Sequence, residues 1–154
     1  IEAIALRFSN VYGPRSQNKD SIVAKFIKQA IEGTPFTIYG DGSQTRDFLY
    51  IDDLVTAITS SIDAKGLGGQ VFQIATEKET SVNELCSLIT ALLKQRGFDI
   101  APTKYVQKRV GDVMKNFSQT SKARELLGWT PKMPLKLGIE KVIDFFEDHK
   151  GNLN

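Results

Sequence analysis

A mixed α/β fold is predicted for this chain of 154 residues. Short apolar segments rich in β-formers alternate with longer segments in which apolar side chains recur every three or four residues. The first pattern is typical of β-strands and the second of amphipathic helices. Hydrophobic residues make up 41 % of the chain, which is enough for the core of one compact domain. Strands between helices favour a mixed α/β domain over a barrel or a sandwich.

Charge and cysteine content exclude several classes of protein. Twenty basic and eighteen acidic residues leave a net charge of +2 without a long block of either sign. We therefore expect no extended nucleic-acid or membrane surface, so any bound anion is held locally. Cys86 is the only cysteine and lies in an apolar helical pattern, which predicts a packing role in a reducing compartment. No segment approaches the roughly 20 apolar residues of a membrane span, and a cytoplasmic location is predicted.

The first strand is predicted over Ile1–Phe8. It is largely apolar, as are strands that are buried on both faces of a parallel sheet. Such a strand needs neighbours on both sides. We therefore expect the chain to be part of a longer protein, with the rest of this sheet encoded upstream.

A turn-rich segment and the first helix follow this strand. Asn10–Asp20 is rich in turn formers, and apolar residues recur at helical spacing over 22–31 until Gly33 ends the pattern. Asp20 or Ser21 is the predicted helix cap.

Two short strands and a second helix are predicted next. Phe36–Tyr39 alternates as a strand does, and Phe48–Ile51 forms the following strand after a glycine turn. Asp52 is predicted to cap the second helix. The apolar side of that helix carries Leu54, Val55, Ile58 and Ile62.

The third helix has the clearest start signal. The loop 65–69 precedes a strand over Val71–Ala75. Ser81 and Glu84 have the spacing of a capping box, in which each side chain bonds the backbone N–H of the other residue. The apolar face that follows consists of Val82, Leu85, Cys86, Leu88, Ile89, Leu92 and Leu93.

One more strand and two helices complete the predicted elements. Thr103–Gln107 is predicted as a strand, and Ser121–Leu127 as a short helix closed by Gly128. Leu135–Phe146 is predicted as a terminal helix. Its core face consists of Ile139, Val142, Ile143 and Phe146.

Three motifs carry chemistry. They are Leu-Arg-Phe-Ser-Asn-Val-Tyr-Gly-Pro-Arg over 6–15, Gly-Asp-Gly-Ser-Gln-Thr-Arg-Asp-Phe-Leu-Tyr-Ile-Asp-Asp-Leu over 40–54, and Lys-Arg-Val-Gly-Asp-Val over 108–113. Together they closely resemble the NAD-dependent epimerase/dehydratase family of sugar-nucleotide enzymes, the extended short-chain dehydrogenases. The resemblance covers nearly all of this chain but only the second half of a usual family member.

The resemblance implies both an architecture and an activity. Residues 1–154 would be the C-terminal substrate-binding region, with the N-terminal dinucleotide-binding portion absent. The strands beginning at Ile1 and Val71 would be left over from a Rossmann-type doubly wound sheet, and most other elements would form a small substrate-binding lobe. The whole enzyme, most similar to the UDP-glucose 4-epimerase branch, would oxidise a UDP-sugar at C4 with NAD. It would then let the keto intermediate rotate and return the hydride to the other face.

Arg46 and Arg109 are the predicted ligands of the substrate's diphosphate. A guanidinium donates paired hydrogen bonds to neighbouring phosphate oxygens, and family members contact the pyrophosphate from both motif positions. The alternative is local ion pairing of Arg46 with Asp47 or of Arg109 with Asp112.

The resemblance assigns further roles around these arginines. Asp112 would accept hydrogen bonds from the ribose hydroxyls, although a solvated acid or a partner for Arg109 is the alternative. Asn10 follows a strand at its carboxyl end, where open α/β sheets place ligands, and its family counterpart bonds the substrate phosphate. Phe8 and Ser9 would lie beside the nicotinamide of the cofactor.

Tyr39 and Ile22 are candidates for the nucleoside pocket. Tyr39 lies in the segment that reads the pyrimidine in family members, so its ring would contact the base or pack beneath the lobe. Ile22 opens the first helix, and ordinary core packing is its alternative role.

Other candidate residues are assigned structural roles. Asp52 and Asp53 lie at a helix start, where negative charge favours the helix dipole. His149 belongs to no serine or cysteine motif of the kind that nucleophilic enzymes use. Together with Cys86 it cannot supply the four ligands of a structural zinc site. Family members often have aspartate before Ser-Lys-Ala in the late helix. This chain has Thr120 there, so the cap is expected to pass to Thr120 or Ser121.

Two motifs that the family needs for cofactor binding and catalysis are absent from this sequence. The sequence contains neither a Gly-x-x-Gly-x-x-Gly or Gly-x-Gly-x-x-Gly turn nor a Tyr-x-x-x-Lys pair. The first normally admits a dinucleotide pyrophosphate to a helix N-terminus, and the second is the family's catalytic pair. We therefore expect the isolated chain to bind no NAD and to be inactive, with no catalytic residue of its own.

Other functional hypotheses remain open from the sequence. A dTDP-sugar 4,6-dehydratase would use the same nucleotide anchor. A non-catalytic nucleotide-binding or interaction module is an alternative from another class. Because unpaired strand edges recruit partners, self-association through exposed strands is expected in either case.

Overall fold

The computed structural model describes residues 2–16, 18–19 and 21–149. Within them the helices are α1 (Ile22–Ile31), α2 (Ile51–Asp63), α3 (Val82–Gln95), α4 (Ser121–Leu127) and α5 (Leu135–Asp148). The strands are β1 (Ala5–Phe8), β2 (Asn10–Tyr12), β3 (Thr37–Tyr39), β4 (Thr45–Arg46), β5 (Phe48–Tyr50), β6 (Val71–Ile74), β7 (Thr80–Ser81) and β8 (Lys104–Val106). The predicted mixed α/β fold is confirmed.

The strands of the described residues form four pairs. β1–β6, β2–β5 and β3–β8 are parallel, whereas β4–β7 is antiparallel. The parallel pairs join segments far apart in sequence, so the segments carrying the three motifs are drawn into one region.

β1 is shorter and more exposed than predicted. It begins at Ala5, and Ile1 lies outside the described residues. The side chain of Phe8 is 56 % exposed, and Ala5 and Arg7 are also exposed. Among the described residues only β6 pairs with β1, so β1 has one edge without a strand partner, and cover for its exposed face from outside this chain stays a prediction.

The largest part of the core lies between α1, α3 and α5. Ser21 caps α1 by accepting a hydrogen bond from the backbone N–H of Ala24, and the alternative cap Asp20 lies outside the described residues. The ring of Phe26 stacks on Phe36 with centroids 4.8 Å apart. The apolar faces predicted for the three helices supply the buried residues Ile27, Ile89, Leu93, Ile139, Val142, Ile143 and Phe146.

The predicted N-cap of α2 is wrong by two residues. Helical geometry begins at Ile51, so Tyr50 is the N-cap and Asp52 lies exposed in the first turn. Asp53 has the predicted structural role, although its contact is long-range. Its buried carboxylate accepts hydrogen bonds from the backbone N–H groups of Lys132 (2.9 Å) and Met133 (3.0 Å), which fixes the segment leading into α5.

Only part of the apolar side predicted for α2 is covered. Leu54 is buried, whereas Val55, Ile58 and Ile62 are exposed. This leaves an apolar strip along α2 on the surface of the described residues.

The capping box of α3 is confirmed. The backbone N–H of Glu84 donates to Ser81 Oγ at 3.1 Å, and the backbone N–H of Ser81 donates to Glu84 Oε2 at 2.7 Å. Cys86, on the inner face of this helix, is buried with its Sγ 3.6 Å from Thr103 Oγ1, as its packing role predicted.

The capping box predicts an acid-dependent contribution to stability. The hydrogen bonds from Ser81 hold the pKa of Glu84 below its ordinary value. A carboxyl whose pKa is lowered by folding stabilises the protein above its ordinary pKa, and this contribution is lost as pH falls through the lowered value. We therefore expect Glu84→Gln to reduce the free energy of unfolding at pH 7, and the deficit to shrink as the pH is lowered toward 3.

Urea unfolding measured at several pH values tests this expectation. The exposed Glu125 on α4 provides the control substitution, Glu125→Gln. A deficit for Glu84→Gln that stays constant with pH would show that the box does not depend on the carboxylate charge.

The cap of α4 differs from the prediction in its chemistry. Thr120 occupies the N-cap position, but its Oγ1 donates to Glu77 Oε1 at 2.8 Å and makes no cap bond. Glu77 also accepts from the backbone N–H of Thr120 and from Arg124. The hydrogen bond from the Thr120 backbone is the main reason that the pKa of Glu77 is lowered. A side chain from a distant loop therefore anchors this helix start.

Candidate functional site

A cavity of about 430 Å³ lies where β2, β3, β4 and the N-terminus of α1 meet the loop after β8. Six of its lining residues were predicted from the sequence to bind substrate. These are Asn10, Ile22, Tyr39, Arg46, Arg109 and Asp112. The fold thus brings all six together, from positions spread over more than 100 residues of sequence.

The glycine turn that precedes Arg46 is fixed against the start of α3. Gly42 has a φ of 76°, and a Cβ at this position would overlap the side chain of Asn83. Asn83 Nδ2 donates to the carbonyl of Asp41 at 2.9 Å, and its backbone N–H donates to that of Gly42 at 3.1 Å. Close packing and a positive φ therefore both require glycine here.

Arg46 is held by three oxygen acceptors on the floor of the cavity. Its Nη1 donates to the carbonyls of Thr45 (2.7 Å) and Val113 (2.6 Å), and its Nη2 lies 2.5 Å from Asp112 Oδ1. The side chains of Arg46 and Asp112 are each 18 % exposed. The pairing of Arg46 with Asp47 that was the alternative from the sequence is wrong. Asp112 pairs with Arg46 across 66 positions of sequence.

Asp47 instead joins three strand ends beneath the cavity. Its buried carboxylate accepts from Ser9 Oγ (3.2 Å), Thr76 Oγ1 (2.8 Å) and the backbone N–H of Thr76 (2.9 Å). Its carbonyl accepts from the backbone N–H of Asn10 at 3.0 Å and from Asn10 Nδ2 at 3.3 Å. This single residue therefore sets the position of Asn10 relative to Arg46.

Arg109 and Tyr39 form the outer wall of the cavity. The guanidinium carbon of Arg109 lies 3.9 Å from the ring centroid of Tyr39, and Lys25 Nζ lies 5.1 Å from the same ring. A hydrogen bond from Arg109, together with the charge of Lys25, lowers the pKa of the Tyr39 phenol. Arg46, Arg109 and Lys25 make this a cationic cavity, in which Asp112 is the one acid among the described lining residues.

A tight turn directs Arg109 and Asp112 to the same cavity. The backbone N–H of Asp112 donates to the carbonyl of Arg109 at 3.3 Å, and Gly111 between them has a φ of 79°. An ordinary side chain at Gly111 would have space but would be strained in this left-handed conformation.

Gly111→Ala is therefore expected to weaken ligand binding at this cavity. The substitution should also lower the free energy of unfolding by about 1 kcal/mol. Gly97→Ala is the matched control, because Gly97 has a φ of 83° and open space around it but lies after α3, away from the cavity. Equal stability losses with an affinity loss only for Gly111→Ala are expected, and equal affinities would contradict the role of the turn.

The residues predicted to lie near a cofactor are outside this cavity. Ser9 uses its hydroxyl to bond Asp47, and Phe8 is exposed at the carboxyl end of β1. Asn10, the next residue, is the one that lines the cavity. The backbone between Phe8 and Asn10 thus separates an exposed surface from the cavity interior.

Sequence reasoning missed several polar residues of the lining, among them Lys25 and Gln44. Lys25 lies one turn after Ile22 on α1, and this spacing could have identified it. Gln44 is buried and donates from Nε2 to the carbonyl of Tyr39 at 2.8 Å, so it holds the edge strand β3 in place. Nothing in the local sequence distinguishes Gln44 from an ordinary turn residue.

Neither a cluster of metal-binding side chains nor a membrane-spanning helix occurs among the described residues. Within this part of the chain no three histidine, cysteine or acidic side chains are grouped so as to hold a metal ion. None of the helices α1 to α5 is long and apolar enough to cross a membrane.

Comparison with known proteins identifies the class to which this arrangement is related. The model of the NAD dependent epimerase/dehydratase family matches residues 1–75. Relatives named UDP-glucose 4-epimerase match nearly the whole chain. A putative one from Methanocaldococcus jannaschii is 37 % identical over 151 residues, which are 97 % of this chain and 47 % of the relative. That of Mycolicibacterium smegmatis is 37 % identical over 142 residues, covering 91 % of this chain and 44 % of the relative.

Solved structures agree with these matches. The UDP-glucose 4-epimerase of Thermotoga maritima, solved with UDP-glucose, aligns with a TM-score of 0.85 at 35 % identity, over 94 % of this chain and 46 % of that one. The UDP-glucuronic acid 4-epimerase of Bacillus cereus, solved with UDP-glucuronic acid and NAD, aligns with a TM-score of 0.84 at 32 % identity. This alignment covers 96 % of this chain and 46 % of that one. The chain is therefore similar to proteins of the NAD-dependent epimerase/dehydratase family, and the predicted resemblance is confirmed. It spans about half the length of the proteins it matches.

Proposed function

We propose that the cavity binds the nucleoside diphosphate of a nucleotide sugar, with a UDP-sugar as ligand, as part of a UDP-glucose 4-epimerase-like protein. The observation that carries the proposal is that Arg46 and Arg109, which are far apart in sequence, line one cavity together with Asp112. The relatives solved with UDP-sugars support the choice of ligand.

The diphosphate is assigned to the cationic part of the cavity. A diphosphate carries negative charges on adjacent phosphate groups, and a guanidinium matches neighbouring phosphate oxygens with paired donors. Arg46 is fixed by backbone carbonyls on Nη1, so its Nη2 is held toward the cavity side occupied by Asp112. Arg109 supplies a second guanidinium, and the amide of Asn10 is a neutral donor for the same phosphates.

The nucleoside is assigned to the wall formed by Tyr39, Ile22 and Asp112. A carboxylate accepts hydrogen bonds from vicinal ribose hydroxyls, and Asp112 lies in the turn that also carries Arg109. The half-buried Tyr39 ring and the first residue of α1 offer an apolar contact for a pyrimidine.

We propose no catalytic residue within this chain. NAD is the cofactor proposed for the whole epimerase, and Phe8 and Ser9 fit one wall of its nicotinamide site, since Phe8 exposes an aromatic face at the end of β1. The sequence holds no glycine-rich turn to bind the dinucleotide's pyrophosphate. Residues 1–154 are accordingly proposed as the substrate-binding region, and the chain by itself is expected to bind no NAD. A cytoplasmic location remains a prediction.

Calorimetric titration of the 154-residue chain tests the proposal. We expect saturable binding of UDP and UDP-glucose with one site per chain, and weaker binding of dTDP. Uridine without phosphates is the control ligand, which should bind much more weakly than UDP. Absence of UDP binding by a folded chain would overturn the proposal, and a preference for dTDP would favour a dehydratase-like substrate.

Self-association is proposed separately, through the edge of β1. That edge has no strand partner among the described residues, and Phe8 is exposed beside it. Light scattering is expected to show a concentration-dependent increase in mass that Phe8→Ser reduces. A monomer at all concentrations would contradict this expectation.

A further inference from the structure

We infer that Asp112 makes the cavity selective against free phosphate and pyrophosphate, because its carboxylate competes with an incoming phosphate for Arg46. The inference rests on the proposed function, since it concerns how that same site chooses its ligand. It adds a discrimination step to the binding role already proposed for this acid.

A diphosphate that bonds Arg46 Nη2 from the side of Asp112 meets a carboxylate already bonded there. Asp112 Oδ1 lies 2.5 Å from Nη2, and only 18 % of each side chain is exposed. A phosphate oxygen that bonds Nη2 along this direction takes the place of the carboxylate. The released carboxylate then needs new donors, because a partly desolvated charge that loses its partner is costly.

The rest of the site limits this exchange to one hydrogen bond. Nη1 of Arg46 is held by the carbonyls of Thr45 and Val113, and the backbone N–H of Thr45 donates to the carbonyl of Met114 at 2.8 Å. The guanidinium and the loop can therefore stay in place while Nη2 changes its partner. A backbone hydrogen bond from Asp112 to Arg109 holds the backbone of this acid in the turn.

A ribose next to the diphosphate supplies the donors that Asp112 needs. Its two vicinal hydroxyls can each donate to a carboxylate, so a nucleoside diphosphate satisfies Arg46 and Asp112 together. Inorganic pyrophosphate satisfies Arg46 but leaves Asp112 beside a second anion. The same carboxylate thus favours the nucleotide and disfavours the bare anion.

The test is calorimetric titration of wild type and Asp112→Asn with three ligands. The ligands are UDP, 2′,3′-dideoxyuridine diphosphate and inorganic pyrophosphate. Asparagine keeps the size of the side chain and removes its charge. Asp41→Asn is the control for the loss of one negative charge, because Asp41 lies in the glycine turn, where its side chain bonds Ser43 rather than Arg46.

Opposite responses to the substitution are expected. Pyrophosphate should bind Asp112→Asn about threefold to tenfold more tightly than it binds wild type, while UDP should bind no more tightly. The wild-type preference for UDP over its dideoxy form should largely disappear in Asp112→Asn. Asp41→Asn should change the affinities of all three ligands by the same small factor.

The outcomes separate this inference from the proposed function. Wild type that fails to bind UDP would overturn both. Wild type that binds UDP, with Asp112→Asn giving an unchanged or weaker affinity for pyrophosphate, would overturn the competition by Asp112 and leave the nucleotide site standing. An equal increase in affinity for UDP and pyrophosphate in Asp112→Asn would show that the substitution acts only through the net charge of the protein. That result would also overturn the inference.

Discussion

Arg46→Ala is expected to weaken UDP binding by about ten- to a hundredfold, because a charge-assisted hydrogen bond contributes roughly 1.5–3 kcal/mol. The variant loses the guanidinium at the cavity floor and also its bonds to the carbonyls of Thr45 and Val113. Arg46→Lys keeps the charge but not the fork, so its affinity should lie between those of Arg46→Ala and wild type.

A matched control separates this effect from a general loss of positive charge. Arg96 is another ion-paired arginine, 25 % exposed, which contacts Asp144 and Glu147 away from the cavity. Arg96→Ala should leave UDP affinity unchanged in calorimetry. If Arg46→Ala binds UDP as tightly as Arg96→Ala does, Arg46 is not a diphosphate ligand.

Asp47→Ala is expected to lower the free energy of unfolding by about 3 kcal/mol, the largest stability effect that the site region predicts. The fully buried carboxylate satisfies the backbone N–H and hydroxyl of Thr76 and the hydroxyl of Ser9. Removing it leaves these donors without a partner in the interior, and such groups are costly when unsatisfied.

Urea unfolding measures this loss. Asp52→Ala, which removes an exposed carboxylate from the first turn of α2, should cost only about 0.5 kcal/mol. The loss of unfolding free energy for Asp47→Asn should lie between those for Asp47→Ala and Asp52→Ala, since an amide keeps the shape of the side chain but offers one acceptor oxygen fewer. A loss below about 1 kcal/mol for Asp47→Ala would show that the strand ends do not depend on this carboxylate.

The helices and most strands were predictable because their signals are local. Apolar periodicity located α1, α3 and α5, and the Ser81–Glu84 spacing fixed the start of α3. The N-cap of α2 and the contacts that hold the start of α4 were less predictable, because residues distant in sequence take part in them. The hydroxyl of Thr120 donates a hydrogen bond to Glu77, which is 43 positions away in sequence.

The sequence predicted which residues line the site better than it predicted the contacts among them. The motifs selected six residues that the fold does bring to one cavity, yet they did not reveal which charges pair. The partner of Arg46 is 66 positions away, and the carboxylate of Asp47 bonds Thr76, 29 positions away. Such pairings depend on the register of β2–β5 and on the turn at Gly111, which no single segment encodes.

A crystal structure of the chain in complex with UDP tests the central claim most directly. We expect the diphosphate in the cavity, with guanidinium nitrogens of Arg46 and of Arg109 each within about 3 Å of its oxygens. A diphosphate bound outside the cavity, or held by neither arginine, would contradict the account.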